Sequence, residues 1–326
     1  MRLLILGLLM IGVMLVSLLA PPLSLSEWLT GLSTVHAWIL WELRFPRLLA
    51  ALSLGAGLAV SGVALQALFR NPLAEPGLIG VSSGAALGAV MALLWLPASL
   101  AMSVGGLIWQ GGWAFGFGLL TTWMLYRLAT QQGRTDAALM LLAGVAFNAI
   151  NGAGVSLLIT LSNDSELRTI VFWMMGSLSG INWGQAMLLT AGFIFSFAGL
   201  WRLRQGLDLY LLGERVCRQM GHDPQRIKLW VIALTTLFIG VAVSMVGVIA
   251  FVGLVVPHMM RLWVGARHQV LLPASALGGA VLLAFADFIA HHVMTPSEVP
   301  IGLFMALLGG PFFLYLLLRE RKKLGI

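Results

Sequence analysis

Apolar stretches of 18 or more residues recur along the whole of this 326-residue chain. Each can cross a hydrocarbon core of roughly 30 Å as a helix. No water is available there to pair a backbone N–H or C=O, so a crossing segment must be a helix or a strand of a closed barrel. Barrel strands alternate apolar and polar residues with period two, and these runs do not. The expected fold class is therefore all-α: a polytopic membrane protein forming a single transmembrane domain over 1–326. With 60% hydrophobic and only 10% charged residues, no stretch reads as a separate soluble domain.

Ten spans are expected, at about 3–20, 48–69, 77–95, 103–126, 137–161, 185–201, 229–246, 249–266, 270–290 and 299–318. Charge tests the arrangement. With both termini inside, only Arg44, Arg47 and Arg168 of the 19 Lys and Arg residues fall outside, a strong positive-inside bias. The seventh and eighth spans share a nearly unbroken run from Leu229 to Trp263. Merging them would carry Arg261 and Arg267 to the outer side, so the run should turn back between Gly247 and Gly253. The same bias explains a pI near 10.5 without nucleic acid as a partner. The first apolar run is long for a signal peptide and lacks a small-residue cleavage site before Pro21, so it is read as an uncleaved span. One cysteine, Cys217, excludes an internal disulfide framework, and no resident cofactor or metal site is expected.

Between the second and third spans lies Arg70-Asn71-Pro72-Leu73-Ala74-Glu75-Pro76-Gly77, followed by Gly80-Val81-Ser82-Ser83-Gly84. The prolines should end one helix by Pro72 and restart another at about Gly77. Glu75 is expected at a helix end or facing a partner on the inner side. The second block also matches the G-x-S-x-G turn of serine hydrolases. A nucleophile needs a base within hydrogen-bond reach, and His258, His291 and His292 show no spacing that supplies one. Gly80 and Gly84 are better read as small-xxx-small packing surfaces, as are Gly112 with Gly116 and the series Gly144, Gly152 and Gly154.

The largest inner loop, about 202–228, contains a glycine break at Gly213, a short amphipathic helix with Val216 and Met220 on one face, and a stop at Gly221. Such a helix suits docking into a groove of a partner protein. The chain has no G-x-x-x-x-G-K-[ST] motif and only three lysines, Lys228, Lys322 and Lys323, so it binds no ATP through a P-loop and is not expected to be an enzyme.

The 71–84 block, together with Arg44-Phe45-Pro46-Arg47, Phe172-Trp173-Met174-Met175-Gly176, Leu212-Gly213-Glu214, Gly253-Leu254-Val255-Val256-Pro257-His258 and Pro300-Ile301-Gly302, resembles the pattern of FecCD-type permeases. These are membrane subunits of bacterial ABC importers for haem, cobalamin and siderophores. The resemblance covers nearly the whole chain. It implies the type II importer fold in the bacterial inner membrane, with ten transmembrane helices per subunit and a homodimer around a central pathway. Two cytoplasmic ATPase subunits and a periplasmic binding protein are the implied partners. It further implies that Leu212, Gly213, Glu214, Arg215, Arg218, Met220 and Gly221 meet the ATPase. Arg44 and Arg47 correspond to docking points for acidic residues of the binding protein, and His291 stands where the family has a third arginine, which makes that contact depend on pH.

The resemblance to haem permeases implies that Arg168 sits by the pathway, where a guanidinium can meet haem propionates; a local ion pair with Asp164 or Glu166 is the competing reading, and Asn148 and Asn151 on span five are expected on the pathway surface. His258 is read as structural, and Asp287 as a brace near the outer surface. Stretches such as Gly309-Gly310-Pro311-Phe312-Phe313-Leu314 look most like haem permeases, with cobalamin and ferric siderophores as alternatives. A secondary transporter, driven by an ion gradient, is the remaining alternative.

Overall fold

The computed structural model describes residues 2–19, 33–96, 104–294 and 298–323. Helices dominate: α1 (Arg2–Leu19), α2 (Thr34–Leu68), α3 (Val81–Leu94), α4 (Val104–Ala129), α5 (Ala137–Thr160), α6 (Asp164–Met174), α7 (Trp183–Arg202), α8 (Arg204–Leu211), α9 (Glu214–Gln219), α10 (Pro224–Val246), α11 (Val252–Val264), α12 (His268–His292) and α13 (Ile301–Lys323). A two-residue hairpin, β1 (Thr130–Gln131) with β2 (Arg134–Thr135), joins α4 to α5. A helix lies at each expected span. By length and composition, α1, α2, α5, α7, α10 and α12 are long and apolar enough to cross a membrane. Shorter apolar helices cover Val81–Leu94, Val252–Val264 and Ile301–Tyr315.

α2 is the hub. It is buried almost continuously from Leu48 to Leu68 and packs against α7, α10, α11 and α12. Its run of Gly, Ala and Ser explains this, since small side chains let several helix backbones come close. At the α2–α12 crossing Gly55 and Gly279 face each other, and a Cβ on either would strike the other's carbonyl. Gly62 meets the backbone of Gly253 in the same way, and Gly57 receives the ring of Phe238. α1, by contrast, is mostly exposed and lies along α12. The outer face of α5 is also apolar, with Leu142 and Leu161 at 70% and 73% exposure, as suits hydrocarbon or a neighbouring helix and not water.

Two interruptions shape the interior. Helix α3 starts at Val81, later than the sequence suggests: Pro76–Ile79 form a 3-10 turn, and Gly80 takes a left-handed φ of 75° that ends it. The run from Leu229 to Trp263 does turn back, with Gly247 at φ 78° and Phe251 at φ 68° on either side of the break. Phenylalanine is costly in that region. Its ring packs on Gly309 of α13, where a Cβ would displace it. Inside α11, Pro257 cannot donate to the carbonyl of Gly253. The buried amide of Gln66 donates to it from α2, at 3.4 Å, and Arg261 in turn donates to the Gln66 carbonyl at 2.9 Å. Among the described residues Gly112 and Gly116 have no atom near enough to touch an added Cβ, so the packing expected of them is not seen there.

Candidate functional site

Three stations lie along the bundle. At one end, Arg47 on α2 donates from Nε and Nη2 to the two carboxylate oxygens of Asp287 on α12, both at 2.9 Å. Its Nη1 reaches Glu298 at 3.0 Å and 3.1 Å, and His291 Nδ1 lies 2.9 Å from the same carboxylate. A cavity of about 440 Å³ opens beside this cluster, lined also by Glu42, Arg44, Asn182 and His292. Burial would raise the Glu298 carboxyl, but the hydrogen bond and charge of Arg47 outweigh it and hold the group below its ordinary value. Asp287 is the expected brace, and its partner lies 240 residues away. Arg44, Arg47 and His291 do gather at one rim. The charge of Arg47, however, is met inside the subunit: its side chain is only 20% exposed and faces two carboxylates. Arg44 donates to the carbonyl of Leu18 on α1.

The middle station joins the two interruptions. Glu75 turns inward at a helix end, the first of the two places expected of it, and accepts from the backbone N–H of Phe251 at 2.6 Å. Backbone that leaves its helix inside a bundle needs such a partner, because water is scarce there. On one side of Glu75 a cavity of about 560 Å³ is lined by Ser82, Ser83, Asn148, Ser156 and Val248; a smaller one of about 120 Å³ adjoins it. Among the described residues no histidine lines either, so Ser82 lacks the histidine base that a hydrolase turn of this kind uses. Asn148 accepts from Ser83 Oγ at 2.6 Å and donates to the carbonyl of Gly77. Asn151 is 6% exposed and donates to Ser83 and Thr121. Asn151 thus packs α5 against α3 and α4, while Asn148 faces a cavity.

Arg168 sits on α6, which an Asn163–Glu166 capping box starts. The Glu166 carboxylate accepts from the Asn163 N–H, and among the described residues no ion pair joins Arg168 to Asp164 or Glu166. The arginine is exposed. His258 meets Phe312 edge-on.

At the opposite end, Gly213 has φ 123° and starts α9. Leu212 and Met220 are 69% and 63% exposed, with Val216, Arg215 and Arg218 also at the surface, while Cys217 is fully buried on the opposite face. Behind α9, Glu214 pairs with Lys228 at 2.7 Å and more loosely with Arg218. Arg70 lies 4.7 Å over the ring of Tyr210 and donates to its carbonyl. Burial first, then the charge of Glu214, pushes the Tyr210 phenol up to about 12. Lys228 and Tyr210 carried no sequence signal, because a lysine beside an apolar run reads as an orientation charge.

Asp208 on α8 ties to the start of α12 through His268, with Nδ1 at 2.6 Å and the His268 N–H at 3.1 Å. Burial raises the Asp208 carboxyl, but these bonds and the charges of His268 and Arg267 together lower it below its ordinary value. A lowered folded pKa stabilises above the unfolded value near 3.9, and that contribution fades as pH falls through the folded value. The thermal midpoint should therefore drop as pH falls below about 5, and Asp208→Asn should flatten that acid limb. Thermal unfolding in detergent between pH 7 and pH 3 reads both.

The model of the FecCD transport family matches residues 3–319. The haemin transport system permease protein HmuU of Yersinia pestis is 43% identical over 290 residues, covering 88% of this chain and 85% of the relative. The vitamin B12 import system permease protein BtuC of Vibrio cholerae is 40% identical over the same shares. A metal-chelate type ABC transporter solved in an inward-facing conformation superposes with a TM-score of 0.87 at 33% identity, covering 97% of this chain and 98% of that one.

Proposed function

The chain belongs to the FecCD transport family and is a permease subunit of an ABC importer, and from that premise we propose that its cargo is haem. The subunit spans the membrane several times and is not itself an enzyme; ATP is hydrolysed by a separate subunit. The observation that carries the haem reading is Arg168: exposed, on the short helix that follows α5, and not neutralised by the carboxylates of its own turn. A planar guanidinium so placed suits the paired propionates of haem, whereas cobalamin offers amides and a single phosphodiester. The 43% likeness to a haemin permease supports the same reading.

In this reading two copies of the chain enclose the pathway, each crossing the inner membrane ten times with both termini inside. Asn148 and the face of α5 around it contribute to the pathway wall. The exposed Leu212, Val216 and Met220, with Arg215 and Arg218, form the surface that seats on the ATPase, an apolar strip edged by charge. Arg44, Arg47 and His291 then form the rim that meets the binding protein, with Arg47 and His291 both shared with Glu298.

The test is uptake into proteoliposomes holding permease, ATPase and binding protein. Haemin should accumulate with ATP at least about tenfold over cyanocobalamin, and Arg168→Ala should cut haemin uptake by about tenfold or more with basal ATP hydrolysis unchanged; the loss of one charge-assisted pair is worth about 1.5–3 kcal/mol. Preference for cyanocobalamin, or indifference to Arg168, overturns the haem reading and leaves the importer intact.

A further inference from the structure

Helix α9 packs on α8 and α10, and a cavity of about 450 Å³ separates it from the start of α5. One side chain crosses that gap. Lys228, on the first turns of α10, is 3% exposed. Its ammonium pairs with Glu214 Oε1 at 2.7 Å, donates to the carbonyl of Thr135 and lies 6.0 Å from the Tyr210 ring centre. Thr135 is held from its other side, because its N–H donates to Gln225 Oε1 at 2.9 Å. The next residue, Asp136, accepts from the N–H groups of Ala138 and Leu139 and so caps α5.

We propose that Lys228 is the positioning residue through which displacement of α9 is passed to α5. The proposal rests on the reading of 214–221 as the ATPase contact. A buried ammonium cannot leave its anion and carbonyl partners without an uncompensated charge, so the partners move with it. A flexible surface pair would let α9 slide; this one obliges the capped end of α5 to follow. The other charged groups facing it across the cavity are Arg70, Arg134, Asp136 and Arg218. None of them bridges Glu214 to the strand that enters α5. The coupling segment is thereby joined to the start of the helix that carries Asn148.

The experiment uses the assembled transporter with bimane placed at Gln219→Cys on α9 or at Leu139→Cys on α5, with the buried Cys217 left in place. ATP with vanadate is added, and the fluorescence change is compared with and without Lys228→Met. The α9 probe should respond as in the parent, while the α5 probe loses more than half of its response, and Lys228→Arg should restore it. Lys228→Gln, which keeps hydrogen bonding but no charge, should behave like Lys228→Met and gives the same reading if the methionine variant does not assemble. An unchanged α5 response overturns the proposal. So does an equal loss at both probes, which would make Lys228 a prop for docking only. If the α9 probe is silent in the parent transporter, the ATPase-contact reading itself fails, and the proposal falls with it.

Discussion

Gly279→Val should yield almost no folded subunit. A Cβ at that position points into the carbonyl of Gly55 and lies 2.7 Å from the Ala59 Cβ, and the reciprocal substitution at Gly55 strikes Gly279. Overpacking ordinarily costs about 1–3 kcal/mol where neighbouring side chains can give way. Here the obstacle is backbone on the most buried helix of the bundle, so the cost should exceed about 3 kcal/mol, enough to remove much of the stability of an ordinary domain. Parting α2 from α12 would also unseat Asp287 from Arg47, two turns further along. Size-exclusion of a fluorescent fusion, followed by thermal unfolding, measures the outcome. Gly279→Ala should show an intermediate loss. Gly112→Ala, at a site where an added Cβ meets no described neighbour, should behave as the parent. If Gly279→Val elutes and melts normally, the close crossing is not what holds these helices together.

Arg47→Ala should be the second most damaging change. It leaves the Asp287 carboxylate, only 11% exposed, beside Glu298 with no cation between them. Removing one partner of a buried pair costs about 3–5 kcal/mol, most of it the uncompensated charge left behind. Replacing both partners with apolar residues removes that charge as well. Arg47→Met with Asp287→Leu should therefore regain most of the loss, leaving Glu298 solvated and still beside His291. Unfolding of the two variants in a denaturing-detergent titration separates the cases. If the double variant is no better than Arg47→Ala, the arginine is doing something other than neutralising Asp287.

The helices were legible in the sequence because hydrocarbon allows so few alternatives. A backbone that cannot reach water must pair with itself, and a run of apolar residues then reads almost directly as a helix. The turn between α10 and α11 was legible for a second reason: charge bias required it before any geometry was known. The exposed Val216 and Met220, on and just after α9, also follow from an amphipathic pattern within one segment. The side-chain partnerships were another matter. Arg47 with Asp287, Glu75 with Phe251 and Glu214 with Lys228 join residues between 14 and 240 positions apart, and no period or local motif encodes them. Asn148 and Asn151 show the same limit at close range. Three residues apart on one helix, they differ in burial because a neighbouring helix covers one more than the other.

The Gln66 amide beneath Pro257 bears on how such a chain changes over generations. In a water-bathed helix the carbonyl orphaned by a proline is hydrated, so the proline can arrive or depart without regard to distant positions. In α11 the donor comes from another helix, and Arg261 holds the other end of that donor. A lineage that acquired the proline first would have carried an unanswered carbonyl inside the bilayer. One that acquired the glutamine first would have carried only a polar side chain with Arg261 to satisfy it. The order of acquisition is therefore asymmetric: glutamine is the permissive step, and proline is the change it makes tolerable.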